Sequence, residues 1–258
     1  MSIPIVMSPP PPSAVSSRLN FHYADELIQV ERGTKTRGAS RILIKVDPDC
    51  RVRVSAPDGA SDEQVLAALK QRGRWIYEQL REFRAQLTHI RPRQYISGES
   101  HCYLGKQYVL KVIETPNELQ QVRLLRGTLE VSVRVKSAEK IRELLHSWYK
   151  ARAREVFDRR LDAVLQEALW VAGKPPLRIL SMQTQWGSCS PAGRITLNPH
   201  LVKASRECID YVILHELCHI AEHNHSERFY RLMHQVMPQW EKTKKLLDGM
   251  AAALLNDC

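Results

Sequence analysis

The chain has 258 residues, 43% hydrophobic and 26% charged, the balance of a globular protein with room for one large domain or two small ones. No run of about 18 apolar residues exists, which excludes a membrane-spanning helix, and the N-terminus lacks the basic-then-apolar pattern of a secretory signal. The net charge of +10 favours polyanionic partners such as nucleic acid, nucleotides or DNA-bound proteins, against the plainer reading of a solvated basic surface.

Residues 1–20 hold Pro4 and the run Pro9 to Pro12 among several serines, which predicts a disordered tail with a short polyproline segment. From Leu27 the pattern turns to period two. Leu27, Ile28 and Val30 predict a strand, Gly33 to Gly38 a turn, Ile42, Ile44 and Val46 a second strand, and Val52 and Val54 a third. Together they suggest a small antiparallel meander that ends at Pro57-Asp58-Gly59. Ser61 with Gln64 three residues on is a capping-box pattern. Val65, Leu66, Leu69, Trp75, Ile76 and Leu80 mark the buried face of one helix, broken at Gly73. Arg72, Arg74, Arg81 and Arg84 decorate it as a solvated face. Tyr95 to Val135 returns to strands, with a hairpin turn at Gly105-Lys106 and strong alternation through Leu129, Val131, Val133 and Val135. No catalytic spacing occurs in this half. His89 and His101 read as surface or satisfied core positions.

Ile141, Leu144, Leu145, Trp148, Val156, Leu161, Leu165 and Leu169 recur at three and four, predicting a long helix from Ser137 to Ala172, stopped by Gly173 and Pro175-Pro176. Strands are expected at Leu177 to Leu180, Gln183 to Ser188 and Arg194 to Leu197. The stretch Trp186 to Cys189 reads either as an exposed edge strand or as a core anchor. Ser205 caps the next helix, whose apolar face includes Ile209, Val212 and Ile213. Two more helices follow, one with Phe229, Leu232, Met233 and Val236, the other with Trp240, Leu246, Leu247 and Met250.

The capped helix carries His215-Glu216-Leu217-Cys218-His219. Four residues apart, His215 and His219 share one helix face one turn apart and can bite a single metal ion, with Glu216 within reach of a metal-bound water. Asn224 tolerates a left-handed turn out of the helix, and His225 just beyond it is placed to swing back as a third ligand, with Ser226 capping the next helix. His223 competes for that role if the helix continues through Asn224. Three protein ligands with one open position describe a catalytic zinc site.

The run Trp186-Gly187-Ser188-Cys189, then Leu197-Asn198, Asp210-Tyr211-Val212, the His-Glu-Leu-Cys-His core, and Asn224-His225-Ser226 with Phe229 resembles the YgjP-like zinc metallopeptidases, relatives of the WLM and SprT-like peptidases. The resemblance implies one zinc ion per chain on His215, His219 and His225, with Glu216 as the general base. With the elements read above it gives an α+β fold: a disordered Pro-rich tail over 1–20 and an antiparallel β-rich region over 21–136, both read from the residues, then over 137–258 a mainly helical region with a small edge sheet, which the resemblance makes a zincin-like metallopeptidase region. The long helix would wall the site beside the metal helix, and the edge strand would pair with an extended peptide. One departure is Gln185, where the family usually has Arg, which bears on substrate preference rather than on metal binding.

The six cysteines, Cys50, Cys102, Cys189, Cys208, Cys218 and Cys258, form no Cys-x-x-Cys pair and fit reduced thiols in a cytoplasm. Cys189 and Cys218 read as small buried hydrophobes rather than ligands. The expected function is zinc-dependent peptide hydrolysis. The alternatives are zinc-dependent hydrolysis of nucleotides or other phosphorylated substrates, and a DNA-associated protease module. A P-loop, which would favour the nucleotide reading, is absent. Oxyanion stabilisation has three neighbouring claimants, Tyr211, Tyr230 and His234, and the sequence leaves the oligomeric state open.

Overall fold

A computed structural model describes residues 17–33, 41–47, 49–57, 59–88, 93–182 and 185–255. The polyproline segment, most of the turn expected at Gly33 to Gly38, and His89 lie outside the described residues. The chain folds into two compact units, Met1–Ala85 and Gln86–Cys258.

The first unit begins with strands β1 (Ser17–Tyr23), β2 (Glu26–Gly33), β3 (Leu43–Val46) and β4 (Val52–Ser55). Ser17 to Asn20, expected to belong to the tail, pair in β1, where Leu19 faces Val30 and Phe21 faces Ile28. The sheet order is β1-β2-β4-β3. It is not a plain meander, because β2 and β4 pair in parallel, with Val30 opposite Val52. Two helices follow, α1 (Asp62–Gln71) and α2 (Gly73–Thr88). The capping box at Ser61 and Gln64 forms in both directions. The break falls at Arg72–Gly73 as expected, and the reason is steric as well as conformational: a Cβ at Gly73 would lie 2.4 Å from the Tyr23 ring. Phe21, Ile28, Val30, Val52 and Val54 pack with Val65, Leu69, Ile76 and Leu80 into this unit's own core.

The second unit opens with β5 (Ser100–Tyr103), β6 (Lys106–Glu114), β7 (Gln121–Leu125) and β8 (Thr128–Val133), in the order β5-β6-β8-β7. Here too one pairing, β6 with β8, is parallel. The hairpin turns are Leu104-Gly105 and Arg126-Gly127, each with positive φ at both central residues, the twist that two-residue hairpins require. Helix α3 (Ala138–Leu165), capped by Ser137, buries Ile141, Leu145, Tyr149, Ala153, Val156, Phe157, Leu161 and Val164 along one stripe. It stops seven residues short of the expected Ala172. Leu169 is 82% exposed and Ala168 is fully buried, so the chain leaves the helix to place Trp170, whose Nε1–H donates to the Leu217 carbonyl at 2.9 Å. The change expected after Lys136, from strands to helices, thus falls inside this unit.

A three-stranded sheet follows, of β9 (Leu177–Ile179), β10 (Gly187–Cys189) and β11 (Ile195–Leu197), ordered β10-β11-β9. The chain then makes a buried 3-10 turn, Pro199–Lys203, which the sequence reading did not anticipate. Helices α4 (Arg206–Ala221), α5 (Glu227–Val236) and α6 (Trp240–Leu255) complete the unit. The β5–β6 hairpin tip supports the start of α4. Leu104 and Gly105 N–H groups donate to Val202 and Lys203 carbonyls at 2.9 and 3.1 Å, and a Cβ on Gly105 would sit 3.0 Å from Ser205, the cap of α4. The expected α+β class holds. Among the described residues no helix is long and apolar enough to cross a membrane.

Candidate metal centre

Helix α4 is almost wholly enclosed: Cys208, Ile209, Tyr211 to Leu214, and Glu216 to Cys218 are all buried. Ser205 Oγ accepts from the Cys208 N–H and fixes its start. Asp210 near that start takes a two-pronged contact from Arg160 of α3, at 2.7 and 2.6 Å. The contact holds the guanidinium charged and ties the two helices together. The Trp170 bond to Leu217 grips the helix midway between the two histidines, two residues from each.

The helix ends at Ala221, with Glu222 already extended. Asn224 is not left-handed, contrary to expectation. The reversal is instead a tight turn in which the Asn224 carbonyl accepts from the Ser226 N–H at 2.8 Å, with His225 at its apex. Ser226 then caps α5.

That turn brings His225 back over α4. Nitrogen atoms of His215, His219 and His225 all lie within 4.8 Å of one another, the one such cluster among the described residues. Nε2 of His225 stands 3.1 Å from Nε2 of His215, close to the spacing of about 3.4 Å for two nitrogens bound tetrahedrally to one zinc. His223 is exposed and takes no part. Nδ1 of His219 meets the Glu222 carbonyl at 3.1 Å; a proton on Nδ1 leaves Nε2 as the coordinating atom. Phe229, fully buried on α5, underlies the group with its ring centroid 4.7–5.0 Å from all three imidazoles. Burial, reinforced by its two imidazole neighbours, holds His215 neutral to a pKa of about 3. Burial, with His219 beside it, depresses His225 as well. Neutral imidazole is the form that binds a metal.

Glu216 is 5% exposed, and burial pushes its carboxyl up to about 8. Its close neighbour is Gly187 of β10, where a Cβ would stand 2.6 Å from Oε1. Only a glycine leaves room for the carboxylate against that strand. The sequence gives Gly187 as part of a motif but not this reason for it. Asn198 is the other residue whose part was not read. Completely buried, it donates to the Met182 and Gln185 carbonyls at 2.6 and 3.0 Å and accepts from the His200 N–H, locking the approach to β10.

Trp186 is half-buried against the core, while β10 pairs on one side only, with β11. The stretch is therefore both anchor and edge. Cys218 is buried and Cys189 half-buried, and neither joins the imidazole cluster. Tyr211 is buried, with its phenol raised well above its usual range by desolvation. Tyr230 is 39% exposed, its ring 6.3 Å from His225 and stacked on Trp240. The His234 ring meets Trp240 edge-on at 5.9 Å.

Three converging imidazoles with a buried carboxylate beside them are the equipment of a metal-dependent hydrolase. The chain belongs to the YgjP-like family, whose metallopeptidase domain model matches residues 40–250. It is accordingly a metallopeptidase, a hydrolase that depends on a divalent metal. Among solved structures, that of the metallopeptidase zymogen abylysin from Pyrococcus abyssi matches at 25% identity, covering 37% of this chain and 89% of its own, with a TM-score of 0.30. A score that low carries no argument about this chain. No curated protein matches.

Proposed function

We propose that the protein is a zinc peptidase with one ion per chain, held by His215, His219 and His225, and with Glu216 as the general base. The observation that carries this reading is the convergence of three imidazoles within 4.8 Å beside a buried carboxylate. An all-imidazole set of three, with a position left for water, suits zinc among the common divalent ions. When bound, the ion would polarise the scissile carbonyl and lower the pKa of a water from about 15.7 toward about 7.

The chain's own part is to move protons and hold substrate. Glu216 takes a proton from the attacking water onto a carboxylate oxygen and hands it to the leaving amine nitrogen. Enclosed against Gly187 and away from bulk water, the carboxyl group is placed to keep that proton between the two steps. The free edge of β10, packed against Glu216 through Gly187, offers backbone groups to an extended peptide. Tyr230, exposed beside His225, is the better-placed donor to the tetrahedral oxyanion, since Tyr211 is sealed in the core. Gln185 leaves the loop before β10 without the family's usual cation, and we read this as altering substrate choice. A cytoplasmic site of action fits the five free cysteines among the described residues.

Nucleotide hydrolysis at this centre and a DNA-associated protease draw less support. Arg74, Arg84, Arg152 and Arg160 are each committed to a neighbouring carboxylate: Glu78, Glu26, Glu155 and Asp210. The deciding experiment measures metal by elemental analysis, together with cleavage of a peptide library. Wild type is expected to carry near-stoichiometric zinc, lost in His225→Ala and kept in His223→Ala. Glu216→Gln should keep zinc and lose at least about 100-fold in cleavage. Full cleavage by zinc-loaded Glu216→Gln would refute the assigned base.

A further inference from the structure

A circuit of rings starts and ends at the metal centre. From His215 it passes to Tyr211, one turn earlier on α4 with its ring centroid 6.0 Å away. It continues to Trp240 at the start of α6, then to Tyr230 on α5, and returns to His225 at 6.3 Å. The two middle links are stacks. The Trp240 ring lies 5° from the plane of Tyr211 at 6.4 Å, and 17° from that of Tyr230 at 5.6 Å. Tyr211 is buried and Tyr230 is exposed, so the stack joins a fixed ring to a freer one.

The helix settles where the Tyr230 side chain starts but not where it points. The Tyr230 N–H donates to the Ser226 carbonyl at 3.1 Å in the first turn of α5, while an exposed side chain keeps alternative staggered rotamers. Trp240 is more tightly held. Its own N–H donates to the Met237 carbonyl at 3.0 Å in the turn that starts α6, and its ring packs on the core of this unit. Its indole N–H is buried with no hydrogen-bond partner among the described residues. The indole therefore acts through its ring faces and not as a polar tether.

We propose that Trp240 is a positioning residue for the hydrolysis: by stacking, it holds the Tyr230 phenol in the orientation that faces the tetrahedral oxyanion. The inference rests on the reading of Tyr230 as the oxyanion donor. Such a donor is effective only within hydrogen-bond distance of the developing charge, so time spent in other rotamers dilutes it. One aromatic stack is worth roughly a three- to tenfold bias between orientations. Because Tyr211 shares α4 with His215 and His219, the same stack ties the donor's orientation to the helix that carries two of the ligands.

The test uses the full-length, zinc-loaded protein and the library peptide that wild type cuts fastest, made with a fluorophore and a quencher. Tyr230→Phe is expected to lower kcat by about 100-fold. Trp240→Leu should lower kcat roughly three- to tenfold, with zinc content unchanged and KM within about twofold of wild type. Trp240→Phe, which keeps a ring face, should recover most of that loss. In the Tyr230→Phe background, Trp240→Leu should cost less than about twofold, since the hydroxyl it would misdirect is gone. A merely structural tryptophan would lower turnover by the same factor in both backgrounds. If Trp240→Leu does not hold zinc, Trp240→Met, a longer side chain without a ring, replaces it; loss of zinc from both makes Trp240 structural and overturns the inference. Equal loss from Trp240→Leu in the two backgrounds, or no loss at all, overturns the inference alone, provided Tyr230→Phe shows its full effect. Unchanged kcat in Tyr230→Phe removes the oxyanion reading and this inference with it, and absence of cleavage by zinc-loaded wild type removes the peptidase reading as well.

Discussion

Glu216 sits where an ionised carboxylate is costly, and without a metal its folded-state pKa of about 8 stands above the ordinary 4.5. The unfolded chain releases this proton above pH 4.5 while the fold retains it until about 8. Metal-free stability therefore declines across that window as pH rises. His215 works at the other end. With its folded value near 3 and its ordinary value 6.5, the unfolded chain takes up a proton that the fold refuses, so stability also declines as pH drops below 6.5. Glu216→Gln removes the first penalty and leaves the second. We expect the metal-free variant to melt roughly 5–10 °C above metal-free wild type at pH 8 and within about 2 °C of it at pH 4. Equal shifts at the two pH values in a calorimetric comparison would contradict the burial argument. At this scale the sequence was informative because the chemistry is local. Four residues of helix place His215 over His219, and Ser226 marks where the chain turns back. The turn itself was misread. A carbonyl–amide contact around His225 makes it, rather than a left-handed Asn224, and such backbone choices leave little trace in residue type.

Elements meet at the centre through contacts that no single stretch of sequence contains. Helix α4 was legible from its cap to its last histidine, and so were the capping box of α1 and the break at Gly73. The parallel pairings β2–β4 and β6–β8 were not, since alternation specifies which face a strand buries but not its neighbour. Nor was the end of α3, where the bond from Trp170 to Leu217 outweighs a helical pattern that runs on to Leu169. The approach of β10 to Glu216 belongs to the same class, because 29 residues separate Gly187 from the carboxylate it touches. Gly187→Ala would drive a methyl into Oε1 at 2.6 Å. The cheapest response is for the Glu216 side chain to move, because its end is more flexible than strand or helix backbone. Zinc content should then stay near wild type while peptide turnover falls by about 100-fold, the usual cost of displacing a reacting group by about 1 Å. Loss of metal along with activity would show instead that the helix, not the side chain, had shifted.

The molecule as a whole contains separate cores, one in Met1–Ala85 and the others in Gln86–Cys258. Composition and periodicity foretold strands first and helices later, but that change of content is not a boundary of packing. The strands β5 to β8 share a unit with α3 because Leu110, Leu129, Val131 and Val133 close against Ile141 and Leu145. A non-local match of this kind is invisible to local pattern. Every residue of the metal centre lies in the second unit, so a ligand for that centre stabilises the unit that holds it, by mass action. Leu69, fully buried in the first unit, supplies the complementary probe. Leu69→Ala should cost about 2–5 kcal/mol. Calorimetry of the zinc-loaded protein is expected to resolve two components. Leu69→Ala should lower only one of them and leave zinc content intact, whereas chelation should lower only the other. A single transition moved equally by both treatments would mean that the two cores melt as one cooperative body.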